Sequence, residues 1–373
     1  MVTRDPRSRM LDSFARLYVE QARSMTYAQL TARQDPPFGS LAFGAAGLAY
    51  FFRRAAQTCG NDALLEDAAR WLDAVERAPS DPFVIPGLTA RQIRNSIYFG
   101  PDGVLFARIL VAHARGKGDE RAARTFAARC GELDRAPSEL LLGAAGYLAC
   151  AQQLWQETED ERFQAAAEVV ARTLLRRQAR WSRMPASGLA HGRAGVLRVL
   201  LRWKRSGGLR ARTGRRDDGN LLAAPLVQLA AEEESALRAS QPKLAGDARL
   251  ARSWCNGAAG MALLWAEAYA HERDERFAAL TRACGRQLLT GIRGAGADLC
   301  CGHAGRGYAF LAVAEIDRLR AWREEALTAG VRAMRGGGYW PNGLLKGHPG
   351  AALLAWELER RGEPGAGVFP LIG

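Results

Sequence analysis

Apolar residues recur with helical spacing in runs such as Leu48–Arg54, Val104–Ala114, Met261–Ala270 and Ala351–Leu358, and each run opens just after a Gly-x-x-Gly step. The step occurs seven times, at Gly44–Gly47, Gly100–Gly103, Gly143–Gly146, Gly192–Gly195, Gly257–Gly260, Gly302–Gly305 and Gly347–Gly350. Between these runs lies a second, more charged set. Three of its members open on Asp119-Glu120-Arg121, Asp160-Glu161-Arg162 and Asp274-Glu275-Arg276, acids that suit a helix N-terminus. The segments Leu11–Leu30, Ala63–Arg77, Leu221–Arg238 and Arg318–Met334 bring the second set to about seven. Seven apolar helices, each with a charged partner, bury their inner faces best as a closed double ring, because an open solenoid needs polar capping repeats and none is visible. The predicted fold is therefore all-α, an (α/α)7 toroid with a central cavity, formed by residues 1–373 as one domain.

The glycines suit the crowded end of such a ring, where loops turn sharply and approach their neighbours before a helix starts. Architecture alone accounts for them, so any chemistry must come from the positions beside them. The longest interval between repeats, at about 204–252, contains Gly207-Gly208, Arg215-Arg216-Asp217-Asp218-Gly219 and Gln241-Pro242. It reads as a flexible insertion of the kind that forms lids or binding segments.

Composition narrows the class. No apolar run reaches the roughly 18 residues of a membrane span, and Met1-Val2-Thr3-Arg4-Asp5-Pro6 lacks the apolar core of a signal peptide, so a cytoplasmic protein without a membrane span is expected. The net charge of +13 comes almost wholly from arginine. That favours acidic or phosphorylated partners, and no nucleic-acid-binding module accompanies it. Cys59, Cys130, Cys150 and Cys284 are scattered through helical contexts and read as core or surface thiols.

The other three cysteines fall in register. The residue before each first glycine is, in turn, Phe43, Phe99, Leu142, His191, Asn256, Cys301 and Lys346; one step earlier the set is Ala42, Tyr98, Leu141, Ala190, Cys255, Cys300 and Leu345. The early repeats are mainly apolar there, whereas repeats four to six supply an imidazole and three thiols on one side of the ring mouth. Three converging thiols can form a metal site, form a disulfide, or serve only as small residues. A cytosolic setting and the strain of pairing adjacent cysteines disfavour the disulfide. Zinc suits a thiolate-rich site, and three protein ligands leave a fourth position open.

Trp254-Cys255-Asn256-Gly257, then Leu299-Cys300-Cys301-Gly302-His303-Ala304-Gly305, with Ala190-His191-Gly192-Arg193-Ala194-Gly195 before them, resemble the motifs of the lanthionine synthetase C-like family. All seven repeats can be laid on that family's seven-fold toroid. The resemblance implies zinc held by Cys255, Cys300 and Cys301, with Cys301 standing where histidine is usual and His303 as the less favoured substitute. It implies that His191 acts in proton transfer. The segment from Glu139 to Tyr147 is more similar to eukaryotic members than to lanthipeptide cyclases, which usually place an aspartate near Glu139. Lys346 and His348, on the repeat after the zinc motifs, and Arg193 and Arg306, at helix starts, join Glu139 as substrate-binding candidates.

A zinc with three thiolates carries a formal charge of about −1, which suits activation of a fourth thiol better than activation of water. The expected activity is zinc-dependent addition of a thiol to dehydroalanine or dehydrobutyrine in a peptide or protein. The thiol would be a small one such as glutathione or a peptide cysteine, and a separate dehydratase or kinase/lyase would make the electrophile. The alternatives are a lanthipeptide cyclase proper, a toroidal zinc alkyl transferase of the prenyltransferase kind, and a zinc-stabilised scaffold for phosphorylated or acidic proteins.

Overall fold

The computed structural model describes residues 5–33, 35–208, 221–238, 250–290, 296–337 and 340–359. In chain order, α1 (Pro6–Ser24) and the short α2 (Tyr27–Arg33) precede the pair α3 (Ala45–Cys59) and α4 (Ala63–Glu76). A short α5 (Ala90–Arg94) leads to α6 (Asp102–Ala114) with α7 (Glu120–Gly131), then α8 (Ala144–Thr158) with α9 (Glu161–Arg176). Next come α10 (Arg193–Arg205) with α11 (Ala223–Arg238), α12 (Ala258–Glu272) with α13 (Glu275–Leu289), α14 (His303–Asp317) with α15 (Arg320–Arg335), and finally α16 (His348–Glu359).

The inner helices α3, α6, α8, α10, α12, α14 and α16 each touch the next, and α16 returns to α3, so the ring is closed. They are buried on nearly every side; in α14 every residue from His303 to Ala314 is buried. The outer helices are amphipathic and expose their charged faces. Asp119, Asp160 and Asp274 cap α7, α9 and α13 by accepting from the backbone N–H of Ala122, Arg162 and Arg276, as the acidic starts anticipated. The expected Leu11–Leu30 helix is two helices, α1 and α2. The interval 204–252 contains α11, which packs between α10 and α13; its residues 209–220 and 239–249 lie outside the described residues.

The last inner helix, α16, takes α1 as its outer partner. Phe51 on α3 seals that junction, stacking on Trp356 of α16 at 5.7 Å and meeting Tyr18 of α1 edge-on at 5.4 Å.

A circuit of backbone hydrogen bonds joins the loops that open the inner helices. Ala42 N–H donates to Tyr98 O (2.9 Å), Leu141 to Ala190 O (3.1 Å), Ala190 to Cys255 O (2.8 Å), Cys300 to Leu345 O (3.1 Å) and Leu345 to Ala42 O (2.9 Å). Between the second and third repeats the Ser96 hydroxyl takes over, donating to Leu141 O. Between the fifth and sixth the donor steps back one residue, from Trp254 N to Cys300 O at 2.8 Å.

The glycines serve space rather than handedness. Gly257 and Gly302, for instance, are extended, with φ of −126° and −99°. The second glycine of each step is where backbones crowd: a Cβ on Gly260 would lie 2.1 Å from Trp254 O and 2.8 Å from the Leu189 Cβ of the neighbouring repeat. Gly260→Ala is therefore expected to lower stability by at least the roughly 1–3 kcal/mol typical of overpacking, because the obstructing atom is backbone. Thermal unfolding checks this; an unchanged melting temperature would contradict the close approach.

Candidate metal and proton-transfer site

Three sulfurs meet where the fifth and sixth repeats join. Cys255 Sγ lies 4.0 Å from Cys301 Sγ, Cys300 Sγ lies 3.5 Å from it, and all three fall within 4.8 Å of one another. All are free thiols and buried. Three sulfurs bound to a tetrahedral zinc at about 2.3 Å stand about 3.8 Å apart. The observed spacings bracket that value, so this donor set fits the metal.

Loop chemistry fixes each sulfur. Three residues before the position occupied in turn by Phe43, Phe99, Asn256 and Cys301 sits a small acceptor, and the backbone N–H at that position donates to it. Ser40 Oγ accepts from Phe43 (3.1 Å), Ser96 Oγ from Phe99 (3.1 Å), Ser253 Oγ from Asn256 (3.2 Å) and Asp298 Oδ1 from Cys301 (2.7 Å). Ser253 Oγ also pairs with Cys255 Sγ at 3.2 Å. Ser253 and Asp298 were missed in the sequence, although their shared place in the repeat was the available signal.

Lys346 enters from the seventh repeat and donates from Nζ to Cys301 Sγ at 3.3 Å. Hydrogen bonds from Cys255 and Cys300, then the Lys346 ammonium, hold the Cys301 thiol far below its ordinary range. Contacts with Cys255 and Cys301, together with burial, push Cys300 up. The cluster thus settles with negative charge on Cys301 facing a cation. Burial opposes the charge on Lys346, but Cys300, Asp298 and Cys301 outweigh it and raise its pKa.

On the other flank, Glu139 occupies the third repeat's version of the turn-capping position. Its carboxylate reaches across to His191, with Oε2 at 3.0 Å from Nδ1. Glu139 is well covered (13% exposed), while His191 keeps a 38% exposed ring, leaving Nε2 as the nitrogen free to face a ligand. The His191 loop abuts the thiol loop: Ala190 N–H bonds Cys255 O, and a Cβ on Gly188 would lie 2.4 Å from Asn256 Cα. His191, Asn256, Cys301 and Lys346 therefore follow one another around the mouth.

Not every predicted residue joins them. Arg193, His303 and His348 share the first helical position of their repeats. Arg193 pairs with Glu232 on the outer helix α11. His348 packs between Phe14 and Tyr18 of α1, its Nε2 on the Gly336 carbonyl. This position faces the outer layer, which is why His303 stays out of the sulfur group. Its imidazole lies among Arg306 and Arg332, and burial first, then those cations, pull its pKa down to about 4. Arg306 is buried with Arg252 and Arg332 as its charged neighbours. A separate cavity of about 600 Å³ lies at the opposite ends of the inner helices, walled by Arg53, Arg54, His113 and Glu157.

Among the described residues no helix is long and apolar enough to cross a membrane. Compared with known proteins, residues 38–363 match the family described as lanthionine synthetase C-like protein. Among solved structures, nisin cyclase superposes with a TM-score of 0.60 at 14% sequence identity, covering 94% of each chain. At that identity the likeness speaks for the toroid.

Proposed function

Because the chain belongs to the lanthionine synthetase C-like family, we propose that it is a zinc-dependent enzyme that adds a thiol across the double bond of dehydroalanine or dehydrobutyrine in a peptide or protein. The observation that carries the proposal is the trio of buried sulfurs at metal-binding spacing, with Lys346 on one side and the His191–Glu139 pair on the other. Zinc held by Cys255, Cys300 and Cys301 would supply a fourth position at which a substrate thiol is kept as thiolate.

The reaction forms a bond from sulfur to Cβ, moves the double-bond electrons onto Cα and the adjoining carbonyl, and ends when a proton reaches Cα. His191 is the residue on this rim suited to handle that proton. Glu139 on Nδ1 fixes the ring's orientation and tautomer, so Nε2 faces the substrate. Lys346 balances the charge of the sulfur cluster, and the Asn256 carboxamide, between His191 and Cys301, is a candidate hydrogen-bond donor to the enolate oxygen. We assign the protein to the cytoplasm and look to a separate dehydratase or kinase/lyase for the electrophile.

Purified, zinc-loaded protein is to be incubated with two substrates: a peptide carrying a preformed dehydroalanine and a cysteine, and a cysteine-free dehydroalanine peptide with glutathione. Mass spectrometry and chiral analysis read the products. Stereoselective thioether above the uncatalysed background in either arm supports the proposal, and the productive arm distinguishes cyclisation from small-thiol addition. No excess product in either arm, with phosphopeptides bound equally by zinc-free protein, would establish a scaffold instead.

A further inference from the structure

The fourth residue after the first glycine of each repeat is Leu48, Val104, Tyr147, Val196, Met261, Arg306 and Ala351. All seven are buried, and only the sixth repeat places a charge there. The third repeat shows what this recess accommodates. Tyr147 donates its hydroxyl to Asp102 Oδ2 at 2.6 Å, and Arg129 Nε holds the same oxygen at 3.0 Å. Asp102 stands two residues after its repeat's first glycine, and its counterpart next to Arg306 is Ala259, two residues after Gly257. Between the fifth and sixth repeats a guanidinium therefore stands where the other recess holds a neutral phenol, and the position of the acid is taken by Ala259.

Arg306 is 3% exposed, and its Nε and Nη2 are sealed without a hydrogen-bond partner among the described residues. Among the described residues the charged groups that face it are Arg252 and Arg332, with His303 one turn earlier on α14. Burial and those two arginines draw Arg306 down to about 10, which leaves it a cation at neutral pH. Arg252 is anchored on Gln287 O and Thr290 Oγ1, and Arg332 lies on the exposed side of α15; with Nε and Nη2 sealed, an anion reaches them when these long side chains shift. Nε and Nη2 form the side-on edge of a guanidinium, the edge that binds two oxygens of one carboxylate or phosphate in parallel.

We propose that this recess between the fifth and sixth repeats is an oxyanion site, in which Arg306, flanked by Arg252 and Arg332, binds a phosphate or carboxylate group. The site requires no metal and stands independently of the thioether reading. Its helix starts two residues after Cys301, so a phosphorylated or acidic residue of a bound peptide held here would bring neighbouring residues towards the thiols.

The full chain in chloride buffer is titrated by calorimetry and thermal unfolding with inorganic phosphate, a phosphoserine peptide, a glutamate peptide and their neutral counterparts. Binding of phosphate with a rise in melting temperature is expected. Tighter binding of the phosphoserine or glutamate peptide would mark the group as peptide-borne, and binding of inorganic phosphate alone would mark it as a free ion. Arg306→Met, which installs the fifth repeat's residue, is expected to weaken phosphate binding at least tenfold and to melt higher than the parent without phosphate. Arg306→Lys, which keeps the charge but not the paired N–H edge, serves if the methionine variant folds poorly, and is expected to lose affinity as well. Arg124→Met, on the exposed face of α7, controls for general charge. The Cys255→Ala, Cys300→Ala variant should bind phosphate normally, which separates this test from that of the thioether activity. No oxyanion response in the parent, or equal responses in the parent and both Arg306 variants, overturns the proposal.

Discussion

Replacing Cys255 and Cys300 together with alanine is expected to strip the protein of zinc and to reduce thioether formation to the uncatalysed rate. Both side chains come from the loop circuit, and only Cys301 would remain, already matched by Lys346. One thiolate paired to an ammonium cannot hold a metal that ordinarily takes four ligands, so zinc should fall from about one per chain to below about a tenth. Elemental analysis and a thiol-addition assay on the same preparation read both effects, with circular dichroism confirming that the helices persist. Single variants refine the ligand set. Cys301→Ala should lose metal, whereas His303→Ala should retain it, because the helix start holding His303 faces the outer layer. Zinc retained in full by the double variant would refute the metal site.

His191→Ala is expected to keep its zinc and its fold while slowing thioether formation by about 10² to 10⁴, the usual weight of a general acid or base. The proton that ends the reaction would then come from water, so the rate should lose the ionisation that the imidazole contributes to its pH profile. Glu139→Gln keeps an acceptor beside Nδ1 but removes the charge. Its loss should be smaller, roughly 10- to 100-fold as for other groups that hold a histidine from behind. A residue that merely supported the loop would not move that profile. An unchanged rate and profile in His191→Ala would reduce the pair to architecture.

The helical ring was legible because each Gly-x-x-Gly step marks a helix start and the seven starts share one register. The same register led to the thiols, to His191 and to Lys346, which differ from their counterparts by a single conspicuous substitution. It was less informative about direction. Arg193 and His348 sit close to the mouth in sequence, yet both turn to the outer helices, and periodicity across a loop-to-helix junction does not reveal that turn of the backbone. The contact of Glu139 with His191 was hidden for a related reason. Its position is normally a local turn cap, as in Ser96 and Asp298, and only the longer side chain lets it leave its own loop for His191. The solitary charge of Arg306 in an apolar column was visible in the sequence, but the missing acid beside it needed the packing.

The pairing of α1 with α16 holds back closure of the ring until α16 has been made. Each middle repeat finds its partners nearby as the chain emerges. The first helix waits for the last, and the hydrogen bond from Leu345 to Ala42 joins residues separated by most of the chain. Contacts of such high order slow folding and leave apolar faces uncovered in the interim. A nascent chain that stalls before α16 is thus an open crescent with the Phe51 face bare, a natural target for chaperones and proteases. Substitutions at Tyr18, Phe51 or Trp356 should therefore reduce the yield of folded protein more than they change the properties of the molecules that succeed.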